Sequence, residues 1–416
     1  MRIDIKYGSS FQTVDIPDNN LIGILKPNKF VFNCSDIDSL KYSIENPINT
    51  AKINKIFKVG EKIAIVTSDI SRPFPSYLVL PPILDELYSI GVKKNDITIV
   101  FALGSHRNHT PKEMIKLVGK RIYNDIRCVD SNPCDFIHMG DTSNGTPVNI
   151  TRIVAEADRR ICLGNIEYHY FAGYSGGAKA IMPGVSTLDA IQSNHSRMVL
   201  LGSHAGNLEC NPVRDDLEEA IKYCPIDYIV NVILDENKKI IHTVSGHYID
   251  AHRAGCKFLD NIYKKQVSSF ADIVIVSQGG EPKDMNLYQT QKALDNAKHV
   301  CKEGGIIILV GACKEGMGHQ IFEDWMVNSP TPDSIIERIK NDFQLGGHKA
   351  ASIALILKKS DVFLVSEMQP QYVRKIFMHP FDSVQKALNK AFSIMSNKAK
   401  VLVMPYGGST LPNIKK

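Results

Sequence analysis

The sequence KIAIVTSDISRPFP, residues 62–75, decides the fold expected for this chain. Its first half is an apolar run typical of a strand buried on both faces, and its second half is a polar loop closed by proline. A helix is predicted over residues 76–90, ending at Gly91, and a second buried strand over residues 97–103. Strand, loop, helix and strand in this order predict a parallel sheet covered by helices.

Three polar segments follow predicted strands of this sheet. They are residues 67–75, residues 104–111, and the segment that begins at Asn165 after the apolar run 160–164. In open parallel sheets, ligands bind outside the carboxyl ends of the strands. We therefore expect the three segments to converge on one site.

The strand–helix alternation restarts beyond Ser268. The fold class expected is α/β, with two α/β domains, mainly parallel sheets and the active site in the cleft between them. The N-terminal domain is predicted at residues 1–267 and the C-terminal domain at residues 268–416. Strands of the C-terminal domain are predicted near residues 272–276, 305–310, 361–365 and 400–403.

Composition narrows the class of protein. The chain has 416 residues, of which 44% are hydrophobic and 22% charged, with a net charge of +5. The basic residues are spread along the chain, so they do not indicate a nucleic acid partner. No apolar run approaches the roughly 20 residues of a membrane span. The nine cysteines are scattered without a Cys-x-x-Cys pair, which favours a cytoplasmic protein over a disulfide scaffold or a zinc ribbon.

Residues 165–198, NIEYHYFAGYSGGAKAIMPGVSTLDAIQSNHSRM, concentrate the side chains that carry chemistry. His169 precedes a glycine-rich turn that ends in Lys179, and His195 lies on a helix with Ser186 as its expected N-cap. This arrangement indicates a ligand that is phosphorylated, covalently held or metal-containing. A P-loop is not indicated, because alanines flank Lys179 where that motif requires glycine and a hydroxyl residue.

The two strand-end loops supply further candidates. Arg72 can bind a carboxylate or phosphate through two parallel hydrogen bonds, or can be a surface arginine paired with Asp69. His106 directly follows a buried strand and suits general acid–base catalysis, although it can also cap the loop. His109 is expected to be exposed to solvent.

The C-terminal half offers one helix start with polar residues. Tyr288, Gln289 and Lys292 follow a loop, and the last two lie on one helix face because they are three residues apart. The alternative is an ordinary solvated helix surface.

These segments together resemble the lactate racemase family, the nickel-pincer-nucleotide enzymes. The likeness runs from about Ile63 to Met404. It is carried by Asp69-x-x-Arg72-Pro73, Gly104-Ser105-His106-Arg107, His169-Tyr170-Phe171-Ala172-Gly173-Tyr174-Ser175-Gly176-Gly177-Ala178-Lys179, Asn194-His195, Tyr288-Gln289-x-x-Lys292 and Glu315-Gly316-Met317-Gly318.

The resemblance implies an isomerase, a racemase or epimerase acting at C2 of lactate or a related 2-hydroxy acid. It also implies a cofactor, pyridinium-3,5-bisthiocarboxylic acid mononucleotide with nickel. Lys179 would hold this nickel-pincer nucleotide covalently, and His195 would be the protein ligand of the metal. Further cofactor contacts are expected from Asp69, Ser175, Gly176 and Gly177.

The same resemblance implies roles in catalysis. His106 and His169 would be the acid–base pair on opposite faces of the substrate. The C2 hydrogen would leave as hydride, and the ketoacid intermediate would receive it back on its other face. Cofactor-assembly enzymes would be partners, since they would deliver the nucleotide. Substrate binding is expected from Arg72, Tyr288, Gln289 and Lys292.

Three other interpretations of the residues stay open. The chain could bind a small anion without a cofactor, through Arg72 and Lys179. It could be a hydrolase with a conventional metal on His106, His169 and His195. It could also be an epimerase of a larger sugar acid, because the sequence does not identify the residues that line the pocket.

Overall fold

The computed structural model describes residues 1–28, 36–235 and 237–414 of the chain. The chain divides into two compact units. One unit is formed by Met1–Lys29 with Asn261–Lys416, and the other by Phe30–Asp260.

The strands of the described residues are given first. In chain order they are β1 (Arg2–Tyr7), β2 (Ser10–Asp15), β3 (Leu21–Ile24), β4 (Ile63–Ser68), β5 (Ile97–Ala102), β6 (Arg127–Asp130), β7 (Phe136–Asp141), β8 (Pro147–Thr151), β9 (Arg159–Asn165), β10 (Tyr168–His169), β11 (Gly173–Tyr174), β12 (Tyr228–Leu234), β13 (Ile240–Gly246), β14 (Lys264–Val267), β15 (Ala271–Ser277), β16 (Cys301–Val310), β17 (Asp361–Val365), β18 (His379–Phe381), β19 (Val401–Met404) and β20 (Leu411–Ile414).

The helices follow in the same order. They are α1 (Asp36–Glu45), α2 (Ile53–Ile56), α3 (Ser76–Ser89), α4 (Pro111–Val118), α5 (Lys120–Asp125), α6 (Arg152–Ala155), α7 (Leu188–Ser196), α8 (Pro212–Glu219), α9 (Asp250–Tyr263), α10 (Leu287–Ala297), α11 (Gln320–Asn328), α12 (Pro332–Asn341), α13 (Gly347–Leu357), α14 (Pro370–Lys375) and α15 (Val384–Met395). Within the described ranges, no helix has both the length and the apolar character needed to cross a bilayer.

The unit Phe30–Asp260 is built on a six-stranded sheet in the order β13-β12-β9-β4-β5-β6. Every neighbouring pair is parallel except β12 and β13, which are antiparallel. The side chains of β4 are buried from Ile63 to Thr67, as expected for a strand covered on both faces. The predicted parallel α/β sheet is therefore confirmed.

Helix α3 covers this sheet because its apolar residues recur at helical spacing. Val79, Ile83 and Leu87 are four residues apart and completely buried, so they form one face of the helix. The same apolar cluster contains Ile65 of β4 and Ile99 of β5. This face of the helix thus packs into the same apolar core as the two strands that it connects.

Chain order along this sheet reverses at β4. The chain continues from β4 to β5 on one side, whereas β9, which comes later, pairs with β4 on the other side. Strands that are parallel end at the same edge, so the loops that leave β4, β5 and β9 emerge together. The predicted convergence of the three polar segments is confirmed by these pairings.

The unit Met1–Lys29 with Asn261–Lys416 contains a second six-stranded sheet, in the order β18-β17-β16-β15-β19-β3. All its neighbouring strands are parallel. Strand β3 comes from the N-terminal end of the chain and pairs with β19, and Asn20 beside it donates to the carbonyls of Asn397 and Ala399 at 2.9 Å each.

The division into units therefore differs from the predicted domains, 1–267 and 268–416. The first residues of the chain belong with the C-terminal unit, and the boundary in the middle lies at 260/261. The physical reason is the pairing of β3 with β19, which are almost 380 residues apart in the chain. Hydrophobic periodicity reports only local spacing and cannot reveal such a pairing.

Asn20→Ala tests the assignment of the N-terminal strand. Loss of two hydrogen bonds, one of them buried, should destabilise the unit that holds β19 by about 1–3 kcal/mol. Hydrogen exchange read by mass spectrometry should rise in β3 and β19 and stay unchanged in β4 and β5. Asn19→Ala, at the exposed neighbouring position, is the matched control. Faster exchange in β4 and β5 alone would contradict the assignment.

Candidate active site

His106 is held by the loop that follows β4. Its Nδ1 atom lies 2.7 Å from Asp69 Oδ2, and Ser71 Oγ donates to Asp69 Oδ1 at 2.9 Å. The Asp69 side chain is 4% exposed and that of His106 is 30% exposed. The carboxylate is thus buried as a fixed acceptor, while the imidazole reaches towards solvent.

The hydrogen bonds determine the charge of Asp69. Burial alone raises the pKa of this carboxyl, but the bonds from His106 and Ser71 and the charges of His106 and Arg72 outweigh burial. The pKa therefore lies below its ordinary value of 3.8. Because a carboxylate accepts and cannot donate, His106 donates from Nδ1, which places the lone pair of the neutral ring on Nε2.

His109 supports the same loop, and its expected exposure to solvent is wrong. Its side chain is 1% exposed, and Nδ1 lies 2.6 Å from Asp130 Oδ1. Its Nε2 accepts the backbone N–H of Ile70 at 2.9 Å. The ring therefore fixes the loop after β4 through one backbone bond, a role with no local signal in the sequence.

Arg72 does not form an ion pair with Asp69, which was one of the two interpretations of this residue. Its nearest carboxylate is Glu167, with Nη1 3.8 Å from Oε1, and both side chains are about half exposed. A pair this long and exposed contributes little to stability. The guanidinium thus stays available to an incoming carboxylate, close to the segment that carries His169.

His169 and Lys179 lie side by side. Lys179 Nζ is 3.5 Å from His169 Nε2, and His169 Nδ1 accepts the backbone N–H of Ala172 at 3.3 Å. An Nδ1 that accepts leaves the proton of the neutral ring on Nε2. His169 and His106 therefore expose opposite functions at Nε2, a proton on the former and a lone pair on the latter.

Both groups are driven towards their neutral forms. Desolvation lowers the pKa of the Lys179 amine well below its usual range, and the cations Arg214 and Arg72 lower it further. Desolvation likewise lowers the pKa of His169, followed by the charge of Lys179. A neutral lysine amine has a lone pair and can act as a nucleophile, so this environment favours the reactive form of Lys179.

His195 lies on α7 and shares an aromatic neighbour with the other two residues. The ring of Phe171 packs edge-to-face on His169 at 4.5 Å and on His195 at 4.8 Å, and Lys179 Nζ lies 5.8 Å from its centroid. The predicted helix that carries His195 is present as α7 and begins at Leu188. Its N-cap is Thr187, however, and not Ser186, whose hydroxyl donates to the carbonyl of Ile181.

The turn before Lys179 requires glycine. Gly176 and Gly177 have φ of +76° and +59°, and a Cβ on Gly176 would lie 2.8 Å from Asn231 Oδ1. Ser175 donates from Oγ to the carbonyl of Asn165 at 2.7 Å and accepts the N–H of Glu167 at 2.9 Å. The three predicted cofactor contacts are therefore brought together in one rigid turn beside Lys179.

Three buried polar residues that support this turn were not predicted. Asn231 Oδ1 accepts the N–H of Gly177 at 2.8 Å, and His252 Nε2 donates to the carbonyl of Ser175 at 2.8 Å. Arg214, with a fully buried side chain, donates to the carbonyl of Ala172 at 3.1 Å. Only Asn231 had a sequence signal, because it is the one amide inside the apolar strand β12.

Tyr288, Gln289 and Lys292 lie on α10, which begins after the N-cap Asn286. The first two are half-buried and Lys292 is exposed. The Tyr288 ring stacks on His319 at 4.9 Å, and the ammonium of the buried Lys349 lies 3.9 Å from its centroid. The ring is thus held in place, and the substrate-binding role of the three residues stays a prediction.

Among residues 1–28, 36–235 and 237–414, no group of three His, Cys, Asp or Glu side chains is placed to hold a metal ion. His106 Nδ1 contacts Asp69, whereas His195 Nδ1 lies 3.0 Å from Asn194 Oδ1. The two Nδ1 atoms therefore belong to separate hydrogen-bond networks.

Comparison with known proteins places this arrangement in context. Residues 7–206 match the lactate racemase N-terminal domain, and residues 266–411 match the lactate racemase C-terminal domain. The lactate racemase of Thermoanaerobacterium thermosaccharolyticum is 34% identical over 98% of both chains. That of Lactiplantibacillus plantarum is 32% identical over 97% of this chain and 98% of its own.

Solved structures show the same likeness. The lactate racemase apoprotein from Thermoanaerobacterium thermosaccharolyticum superposes with a TM-score of 0.89 and 33% identity, covering 100% of both chains. A Thermotoga maritima protein of 19% identity superposes with a TM-score of 0.62 over 91% of this chain and 97% of its own, which shows a shared fold. The α/β fold class predicted from the sequence is confirmed.

Asp69→Asn tests the buried carboxylate by the pH dependence of stability. Because the pKa of Asp69 is lowered in the folded chain, its stabilisation is present above about pH 4 and is lost as the pH falls through the folded pKa. The variant should be less stable than the wild type by about 1–3 kcal/mol at pH 6. This difference should shrink towards pH 3 in denaturant unfolding. Asp85→Asn, at an exposed position of α3, is the control, and a difference constant with pH would contradict the lowered pKa.

Proposed function

The chain belongs to the lactate racemase family and is an isomerase, and from this premise we propose that it interconverts the two C2 configurations of lactate or a closely related 2-hydroxy acid. One observation carries the proposal: His106 and His169 expose opposite proton-transfer functions at Nε2, supported by the contact with Asp69 at 2.7 Å and the bond from Ala172 at 3.3 Å.

His106 is suited to the role of base. Its Nδ1–H is bound to Asp69, so Nε2 can accept the proton of a substrate hydroxyl. The imidazolium that forms is then stabilised by a buried carboxylate, whose pKa is already lowered by this contact. Asp69 also prevents the ring from turning, which keeps the accepting atom in place.

His169 is suited to the complementary role. The Nε2–H of its neutral ring can donate a hydrogen bond to the oxygen of a keto intermediate, and the imidazolium form of the ring would transfer a proton to that oxygen. Racemisation needs an acid and a base on opposite faces, because the two enantiomers present their hydroxyls on opposite sides. The roles exchange in the reverse direction, so one pair of histidines serves both.

The residues around Lys179 fit the nickel-pincer nucleotide, which we propose as the cofactor. The lowered pKa of the amine favours its neutral form, which attachment to a carbonyl carbon requires. Gly176 and Gly177 leave room beside it, and His195 offers a single imidazole, which suffices for a metal held mainly by its own organic ligand. When bound, this group supplies an electrophilic carbon that accepts the C2 hydrogen with its electron pair.

Anchoring of the substrate carboxylate is assigned to Arg72. Its present partner, Glu167, is half exposed and 3.8 Å away, so the guanidinium can bind a substrate carboxylate through two bonds at small cost. Tyr288, Gln289 and Lys292 are proposed as further substrate contacts. A held carboxylate keeps the planar keto acid from leaving before its hydrogen returns.

The proposal includes partners and a compartment. A nucleotide of this kind has to be built before it reaches Lys179, so cofactor-assembly enzymes are required in the same compartment. The cytoplasm is proposed, in keeping with the scattered cysteines.

Covalent attachment is tested by intact mass after co-expression with the cofactor-assembly enzymes. The wild type should gain a mononucleotide-sized adduct, mapped by peptide analysis to Lys179. Lys179→Ala should gain none, because no amine is present at that position. Lys179→Arg keeps a long, nitrogen-bearing side chain at that position but has no amine, so it should also remain unmodified. An adduct of the same mass on Lys179→Ala would contradict the attachment site.

The acid–base pair is tested by His106→Ala and His169→Ala. Both variants should keep the adduct and lose racemisation by roughly 10²–10⁴-fold, the range for a positioned proton-transfer group. Interconversion of D- and L-lactate is followed by chiral chromatography. His138→Ala, at a half-exposed histidine in the β7–β8 hairpin, is the control and should racemise at the wild-type rate.

The same assay in D₂O identifies how the C2 hydrogen moves. A hydrogen that leaves and returns with its electron pair does not exchange with solvent, so the product should contain no deuterium at C2. Complete incorporation of deuterium would indicate simple proton abstraction and would overturn the cofactor-dependent route.

A further inference from the structure

We propose that Asn194 and Asp216 are positioning residues for His195, and that they fix its ring in the tautomer with the lone pair on Nε2. The inference rests on the proposed function in one respect, because it takes His195 as the protein ligand of the metal. A metal binds the nitrogen that bears the lone pair, so the tautomer decides whether His195 presents a ligand at Nε2.

The orientation of the Asn194 amide is fixed by two acceptors. The residue is completely buried on α7. Its Nδ2 donates to the carbonyl of Val213 at 3.1 Å and to Asp216 Oδ2 at 2.8 Å. Both hydrogens of the amide are therefore used. A flipped amide would lose both bonds and place its oxygen against the Asp216 carboxylate.

The fixed amide determines the proton on His195. Asn194 Oδ1 lies 3.0 Å from His195 Nδ1. An amide oxygen only accepts, so the ring nitrogen facing it has to donate. The proton of the neutral imidazole is therefore on Nδ1, and the lone pair is on Nε2. Phe171, packed edge-to-face at 4.8 Å, restrains the plane of the same ring.

Asp216 is in turn held by two hydroxyls from the turn between β7 and β8. Thr142 Oγ1 donates to its Oδ1 at 2.6 Å, and Thr146 Oγ1 donates to its Oδ2 at 2.8 Å. The hydroxyl of Thr142 also accepts the N–H of Thr146 at 3.1 Å. The buried carboxylate thus receives three hydrogen bonds, one of them from Asn194.

The hydrogen bonds from Asp216 through Asn194 to His195 also affect how strongly His195 Nε2 would bind a metal. A carboxylate behind the amide polarises it, so that Asn194 Oδ1 becomes a stronger acceptor for the Nδ1–H of His195. A ring whose Nδ1–H is bound more strongly carries more electron density on Nε2 and is a better metal ligand. The arrangement matches the carboxylate–histidine–metal pattern, with one amide inserted between carboxylate and ring.

The proposal is tested directly by determining the tautomer of His195 in the protein without cofactor. Long-range ¹⁵N–¹H correlation spectra of ¹⁵N-histidine-labelled protein separate the Nδ1–H and Nε2–H forms by the shifts of the two ring nitrogens. The His195→Gln spectrum assigns the resonance. We expect the Nδ1–H form in the wild type, and an Nε2–H form would overturn the proposal without any further variant.

Asn194→Ala removes the acceptor. The His195 resonances should move to a mixture of tautomers, and nickel should leave the loaded protein for a chelator on the order of 10–100-fold faster. A purely structural Asn194 would leave the tautomer unchanged in the folded variant, and that result would overturn the proposal.

An exchange of the two side chains guards against a variant that fails to fold. Asn194→Asp alone keeps an acceptor towards His195 Nδ1, so the Nδ1–H form should persist in the folded variant, although two carboxylates then face each other. Combined with Asp216→Asn, a donor again lies between the two positions, so the double variant should fold and keep the Nδ1–H form. An Nε2–H form in the folded double variant would count against the relay.

These experiments distinguish failure of the positioning role from failure of the proposed function. If the wild type takes up no nickel after co-expression with the cofactor-assembly enzymes, the proposed function fails, whatever the tautomer. If nickel is taken up and racemisation occurs, but Asn194→Ala has the wild-type tautomer and nickel release rate, only the positioning role fails.

Discussion

The site depends on the parallel pairing of β4 with β5 on one side and β9 on the other. This pairing buries β4 from Ile63 to Thr67 and brings three chain segments to the same edge of one sheet. Backbone hydrogen bonds fix the register, and a shift of one residue would turn every buried side chain to the opposite face. The strand pairing therefore places the loops that carry Asp69, His106 and His169 at one edge of the sheet, independently of contacts between these side chains.

The second constraint is an excess of positive charge around a desolvated amine. Arg214 is completely buried, and Arg72 lies at the rim, and both lower the pKa of Lys179 below what burial alone produces. Buried cations cost free energy unless they are compensated. Arg214 is compensated by backbone carbonyls and by Glu218 at 3.6 Å. The fold thereby sustains an environment that lowers the pKa of Lys179 and favours its neutral form.

A layer of buried polar side chains holds the residues proposed to act in chemistry. His109 bonds to the loop of Asp69, Asn231 and His252 bond to the glycine turn, and Asn194 bonds to His195. Each of these four side chains forms its hydrogen bonds with a backbone group or with another side chain. A buried polar group that is fully paired orients its partner at little net cost, whereas an unpaired one destabilises the fold.

The sequence by itself determined the strand and helix pattern, the three strand-end segments and the main candidates, because these depend on spacing within about 15 residues. It also determined that glycine is needed before Lys179. Tertiary structure decided the rest: the pairing of β3 with β19, the burial of His109, and the partner of Arg72, which is Glu167. The position of the proton on each histidine ring also depends on the tertiary structure. The tautomers of His106, His169 and His195 depend on which acceptor or donor faces Nδ1, and those partners include residues brought there only by folding.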